Sequence, residues 1–179
     1  FQYYDETADE VYHLNETMPF EINMVVGDVV NPFIFTFTPN TPPNWDENGD
    51  GVLDNYNDYE NNGSLTSKVY VDDVDYSTLG DMVAAFVNGE QRGVGIASGP
   101  IPFGPYAGTY AFQMMIYSNE IGGETLTFQY YDESANEVYD LNETMPFEIN
   151  MVVGDVVAPF IFTFTPSTSD DINGCTDPT

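Results

Sequence analysis

Apolar and polar residues alternate in short runs along most of this chain, and Gly, Pro, Asn and Asp separate the runs. From Leu65 onward no stretch keeps a helical period, so the pattern predicts strands. Residues 66–71 alternate. Residues 82–87 form a compact apolar run closed by Asn88-Gly89, a dipeptide suited to a tight hairpin, and 92–97 return as the second arm. The segment SGPIPFGPYAG, 98–108, holds too much Pro and Gly for regular structure. In 109–117, Tyr110, Phe112, Met114 and Ile116 share one face, and Leu126, Phe128 and Tyr130 share one in the next strand. Strands at 136–141, 147–153 and 159–165 complete the set, and the expected fold class is all-β.

About eight short strands at regular spacing fit an antiparallel immunoglobulin-like β-sandwich. Period-two alternation puts Phe160, Phe162 and Phe164 on one face, where a second sheet covers them, and turns Ile161, Thr163 and Thr165 outward. These aromatic stripes are read as core rather than as a carbohydrate platform. Met24, Met114, Met115 and Met151 are read as gap-fillers in the same core.

The chain repeats itself. Residues 128–166 restate residues 1–39 at an offset of 127, differing only at Thr7/Ser134, Asp9/Asn136, His13/Asp140 and Asn31/Ala158. The expected organisation is the C-terminal half of one module at 1–39, a linker at 40–57, a complete module at 58–166, and the start of another linker or module at 167–179. A few strands without partners cannot bury their apolar faces, so 1–39 needs a complement from upstream residues or from another chain.

Charge narrows the partners. Thirty acidic residues stand against Lys68 and Arg92, giving −28. Repulsion argues against nucleic acid and an anionic membrane surface, and the apolar runs are too short to cross a bilayer. A 42% hydrophobic, 15% aromatic chain still builds a core, and divalent cations relieve its charge. Arg92 is expected to pair with Asp81, Glu90 or Asp132 and so fix the sheet. The lone Cys175 points to a disulfide partner outside these residues.

The linker carries the most specific chemistry. In Asp46-Glu47-Asn48-Gly49-Asp50-Gly51-Val52-Leu53-Asp54, side-chain oxygens fall at loop positions 1, 3 and 5, glycine at 6 and a carboxylate at 9. That is the spacing of a calcium loop, in which glycine permits the sharp turn and position 7 offers its backbone carbonyl. The predicted Ca²⁺ ligands are Asp46, Asn48, Asp50, the Val52 carbonyl and Asp54, with Asp58 completing the shell. An EF-hand wants Glu at position 12, where this chain has Asn57, and helices on both sides, where it has proline and strand-like sequence. The loop instead resembles those of thrombospondin type 3 repeats.

The stretches DMVAAFVNGEQRGVG, TYAFQMMIYSNEIGGETLTFQYYDESANEVYDLNETMPFE and VVGDVVAPFIFTFTP resemble an immunoglobulin-like module repeated in giant secreted surface proteins of bacteria. The resemblance covers 58–166 and again 1–39, with a GCTDP element at Gly174 to Pro178. It implies secretion to the extracellular or cell-surface space, modular architecture and calcium, and it supplies no activity.

Catalysis has little material. The sole histidine, His13, is Asp140 in the other copy, and thirty acids make accidental carboxylate pairs inevitable, so the chain is not expected to be an enzyme. Asn15-Glu16-Thr17, Asn62-Gly63-Ser64 and Asn142-Glu143-Thr144 are weak glycosylation signals. Gly27-Asp28 and Gly154-Asp155 are read as turns into the last strand. A second calcium site drawing on Asp72, Asp73 or Asp75 lacks supporting spacing. The expected function is a calcium-stabilised filament or stalk, its partners being copies of itself or neighbouring modules end to end. The alternative is an adhesin or carbohydrate-binding module that meets surface glycans through Phe103 and Tyr106.

Overall fold

The computed structural model describes residues 1–5, 10–14, 16–36 and 42–165. Cys175, the segment 167–179 with its GCTDP element, and Asn15 of the first sequon lie outside them. The chain forms two compact units, Phe1–Thr41 and Pro42–Thr179.

The first unit opens with a hairpin of β1 (Gln2–Asp5) and β2 (Glu10–His13), paired Gln2 to His13 through Asp5 to Glu10. No strand follows among the described residues up to 36. Its turns are nevertheless defined by local bonds. Asp28 Oδ1 accepts from the amides of Val30 and Asn31 at 2.7 Å each. Glu16 accepts from the amide of Thr36 at 2.7 Å and from its hydroxyl at 2.6 Å. Much of the apolar side-chain surface is open: Phe20 is 85% exposed, Val29 100% and Phe35 42%.

Among its described residues the second unit holds ten strands: β3 (Asn61–Val71), β4 (Val74–Asp75), β5 (Met82–Val87), β6 (Glu90–Ile96), β7 (Phe112–Ser118), β8 (Gly122–Asp132), β9 (Glu137–Asp140), β10 (Met145–Glu148), β11 (Val152–Val153) and β12 (Phe160–Thr163). One sheet runs β10-β8-β5-β6 with β9 on β8. In the other, β3 is the hub. It pairs antiparallel with β7 and β4 and parallel with β11 and β12. Ser64 pairs with both Met115 and Val152, so β7 and β11 take opposite edges of β3.

The two sheets share one core. Leu65, Val69, Phe112 and Ile116 from one meet Val83, Leu126, Phe128 and Tyr130 from the other, all essentially fully buried. Phe128 and Phe162 meet at 4.6 Å between ring centroids. The alternation therefore identified the buried faces correctly: Phe162 and Phe164 are buried and Ile161 faces out. Asn88 and Gly89 both take positive φ in the β5–β6 hairpin.

Three expectations change. The sheet β10-β8-β5-β6 is antiparallel as expected, but the sheet around β3 is mixed, which side-chain alternation does not announce because it encodes the buried face and says nothing of strand direction. The strand expected at 147–153 breaks at Asn150, which takes φ 59°, a left-handed conformation that ends β10 before β11 begins. Met115 is not a core gap-filler. It occupies the outward phase of β7 and is exposed, whereas its neighbour Met114 is buried.

Candidate metal centre

The acidic loop lies within the second unit, between two apolar anchors. Trp45 packs with Ala84, Val94 and Tyr131, and its ring meets Phe86 edge-on at 6.0 Å. Gln91 Nε2 donates to the Trp45 carbonyl at 2.7 Å. Leu53, at the far end, is buried as well. The acids between them stand largely in solvent.

Asx turns curl the backbone. Asp46 Oδ1 accepts from the amides of Gly49 at 2.8 Å and Asp50 at 3.2 Å, and Oδ2 from Gly51 at 2.5 Å. Asn48 Oδ1 accepts from the Asp50 amide at 3.0 Å, and Asp50 Oδ1 from the Val52 amide at 2.8 Å. Asp54 Oδ2 accepts from the Glu47 amide at 3.1 Å, tying position 9 to the start of the loop. Gly51, the predicted turn glycine, has φ 77°.

Asp46, Asn48, Asp50, Val52 and Asp54 thus belong to one internally bonded turn. Asp58 does not join it. Asp58 ends a 3₁₀ turn, Tyr56–Asp58, where its Oδ2 accepts from Asn55 Nδ2 at 3.4 Å and its carbonyl from Asn119 Nδ2 at 3.2 Å. Among the described residues no group of three or more His, Cys, Asp and Glu side chains gathers as metal ligands do. The donor chemistry fits calcium, since every candidate atom is an oxygen and three of the side chains are carboxylates. Asp72 and Asp73 form the β3–β4 turn, both at positive φ, and Asp75 is engaged elsewhere.

Beside the loop, Gly49, Asp50 and Gly51 form one wall of a cleft of ≈ 290 Å³, and Ser98, Pro100 and Pro102 of the Pro/Gly segment line it as well. Of the two aromatics singled out there, Phe103 is 60% exposed, whereas Tyr106 is half-buried. The Tyr106 ring lies 5.5 Å from the Lys68 ammonium.

Lys68 is fully buried, a placement its alternating strand did not announce. Its Nζ donates to Thr109 Oγ1 at 2.8 Å and to the Tyr110 carbonyl, and it meets Asp75 Oδ2 at 2.7 Å. Arg92 is also buried and, of the three alternatives, pairs with Glu90, beside a partner the sequence did not suggest. Its Nη2 meets Glu90 at 3.5 Å and, closer, Glu124 at 3.0 Å, and its guanidinium covers the Tyr59 ring at 5.0 Å. Asp81 bonds elsewhere, accepting from Tyr130 Oη at 2.7 Å and from the amides of Thr78 at 2.7 Å and Glu133 at 3.0 Å. Burial raises the Asp81 carboxyl above its ordinary range, against the pull of those donors. Asp132 accepts from Ser134 Oγ and the Ala135 amide in its own turn.

Both basic side chains of the chain are therefore internal, and its outer surface presents no lysine or arginine. No family model, no curated protein and no solved structure matches this chain.

Proposed function

We propose that the chain is a structural element of an extracellular filament or stalk, built from immunoglobulin-like sandwiches in tandem and stiffened by calcium at the loop 46–54. The observation that carries this reading is the loop's placement. An oxygen-only turn preceding β3 is held at both ends by buried Trp45 and Leu53 rather than left as a free tether. Asp46, Asn48, Asp50, the Val52 carbonyl and Asp54 are the residues that would hold the ion. Bound calcium would neutralise the loop's carboxylates on a surface without exposed lysine or arginine, and binding only to the folded loop stabilises the fold. No catalytic role is proposed.

Melting followed through Trp45 fluorescence tests the reading. Calcium tenfold above its dissociation constant stabilises by ~1.4 kcal/mol, a rise of roughly 3–6 °C. A chelator should reverse the rise, Asp46→Asn with Asp50→Asn should abolish it, and electron microscopy should show the assembly losing its regular shape. A melting temperature indifferent to calcium and chelator would sink the calcium lock.

Exposed Phe103 beside the cleft favours a second reading, an adhesin or carbohydrate-binding module, through an open aromatic on a Pro/Gly loop. Binding to a glycan panel that is lost in Phe103→Ala separates the two.

A further inference from the structure

The second unit shows what covers a segment of the sequence 1–36, because residues 128–163 are that segment, seated. Seated, Phe128–Tyr131 pair antiparallel with Ala85–Met82, Val152 and Val153 run parallel on Ser64 and Leu65, and Phe160–Thr163 run parallel on Ser67–Tyr70. There Phe147 and Phe162 are fully buried, while their counterparts Phe20 and Phe35 stand open in the first unit.

Where it is described, the open copy already keeps local features of the seated one. Its hairpin keeps the register of β8–β9, since Gln2 to His13 corresponds to Gln129 to Asp140. The amide of Leu14 donates to the Phe1 carbonyl at 3.0 Å, as Leu141 does to Phe128 at 3.0 Å. Glu16 holds Thr36 as Glu143 holds Thr163. Phe33 and Phe35 meet at 5.1 Å and 68°, and Phe160 and Phe162 at 5.0 Å and 68°. A segment already in its bound conformation loses little entropy on docking.

The differences between the copies leave the seat untouched. The side chains of Ser134, Asn136 and Asp140 bond to Asp132, Tyr131 and Gln129, and the Ala158 backbone bonds to Asp155. All of these partners belong to the repeated segment itself.

We infer that residues 1–36 of one copy, wherever no other residues of their own module seat them, dock on residues 60–127 of a second copy, in the register used there by that copy's own 128–163. The two segments make the same contacts, so occupancy is decided by supply. A linked segment competes at an effective concentration on the order of millimolar, so in dilute solution the chain's own 128–163 holds the seat. Docking from another copy prevails where copies are crowded or where the seated segment is weakened. The inference rests on the end-to-end reading above for its consequence, a chain of copies joined by strands, but not on calcium.

Two variants test it, both with Cys175→Ser. The donor carries Val25→Cys, and the acceptor carries Ser64→Cys with Phe35→Asp and Phe162→Ala. The acceptor's own two segments are thereby disabled and weakened. Mixed and treated with a short bismaleimide, the pair should give a covalent heterodimer on a denaturing gel. The product should fall away when the donor also carries Phe35→Asp, when the acceptor cysteine is moved to the β3–β4 turn (Asp72→Cys), and when the acceptor keeps Phe162 in dilute solution. Far-UV circular dichroism checks that the acceptor stays folded. If Phe162→Ala unfolds it, the same linkage is read with Phe162 intact at millimolar protein, where exchange must still give product. No heterodimer in either form, or a heterodimer indifferent to Phe35→Asp in the donor, overturns the inference. Neither outcome touches the calcium lock, which is read separately by chelation.

Discussion

Residues 1–36 and 128–163 carry nearly the same sequence in two circumstances. In both, whatever depends on contacts within the segment is present: the hairpin register, the Asx turn at Asp28 or Asp155, and the clamp of Glu16 on Thr36 or of Glu143 on Thr163. Only the second copy has β10, β11 and β12, because those strands exist through hydrogen bonds to β8 and β3. Local sequence sets turns and hairpins, and ladders require a neighbour. The comparison separates these contributions within one chain.

The largest effect should come from the same truncation made twice. Phe162→Ala should cost about 3–5 kcal/mol in urea denaturation followed by Trp45 fluorescence, because Phe162 is fully buried in the shared core. Phe35→Ala should change that transition by less than about 0.5 kcal/mol. Equal costs would mean that the first copy is not open in solution.

A smaller contrast lies at the paired turn glycines. An added Cβ at Gly154 (φ 68°) would clash with the Thr66 carbonyl oxygen on β3, whereas at Gly27 (φ 73°) it meets only its own turn, at Phe33. Gly154→Ala should therefore destabilise the second unit by roughly 1–3 kcal/mol, and Gly27→Ala should leave its transition in place.

The smallest difference should be between Asp28 and Asp155. Amides hold both carboxyls below the ordinary range, Asn31 then Val30 for Asp28 and Ala158 then Val157 for Asp155. A lowered folded-state value contributes stability that is present above the ordinary aspartate value and lost as pH falls through the lowered one. NMR titration of the two side chains should give matching midpoints, both depressed, because the cause is local to each turn. A normal midpoint for Asp28 beside a depressed one for Asp155 would show that the turn needs the seat to form.

This division also explains what could be read from the sequence. Alternation located the inward faces of β7, β8 and β12, and Asn88-Gly89 located a hairpin, because each signal lies within a few residues. The parallel course of β11 and β12 along β3 depends on residues about 90 positions apart, and no local pattern carries it. Spacing located the turn 46–54 and its glycine at positive φ, but not the 3₁₀ turn that separates Asp58 from it. Nor did it show Trp45 and Leu53 as anchors, although the only tryptophan of the chain immediately precedes the first acid. Glu124 as the closer partner of Arg92, and the burial of Lys68, depend on packing between strands distant in sequence.

The parallel pairing of β12 with β3 has a mechanical consequence. These are the last and the first strands among the described residues of the second unit, so a pull applied beyond Thr163 and before Asn61 drags them in opposite directions along their shared axis. Residues 160–163 and 67–70 are then loaded in shear, and their ladder must fail together rather than unzip one bond at a time. Such a unit should resist tension to far higher force than a hairpin peeled from its open end.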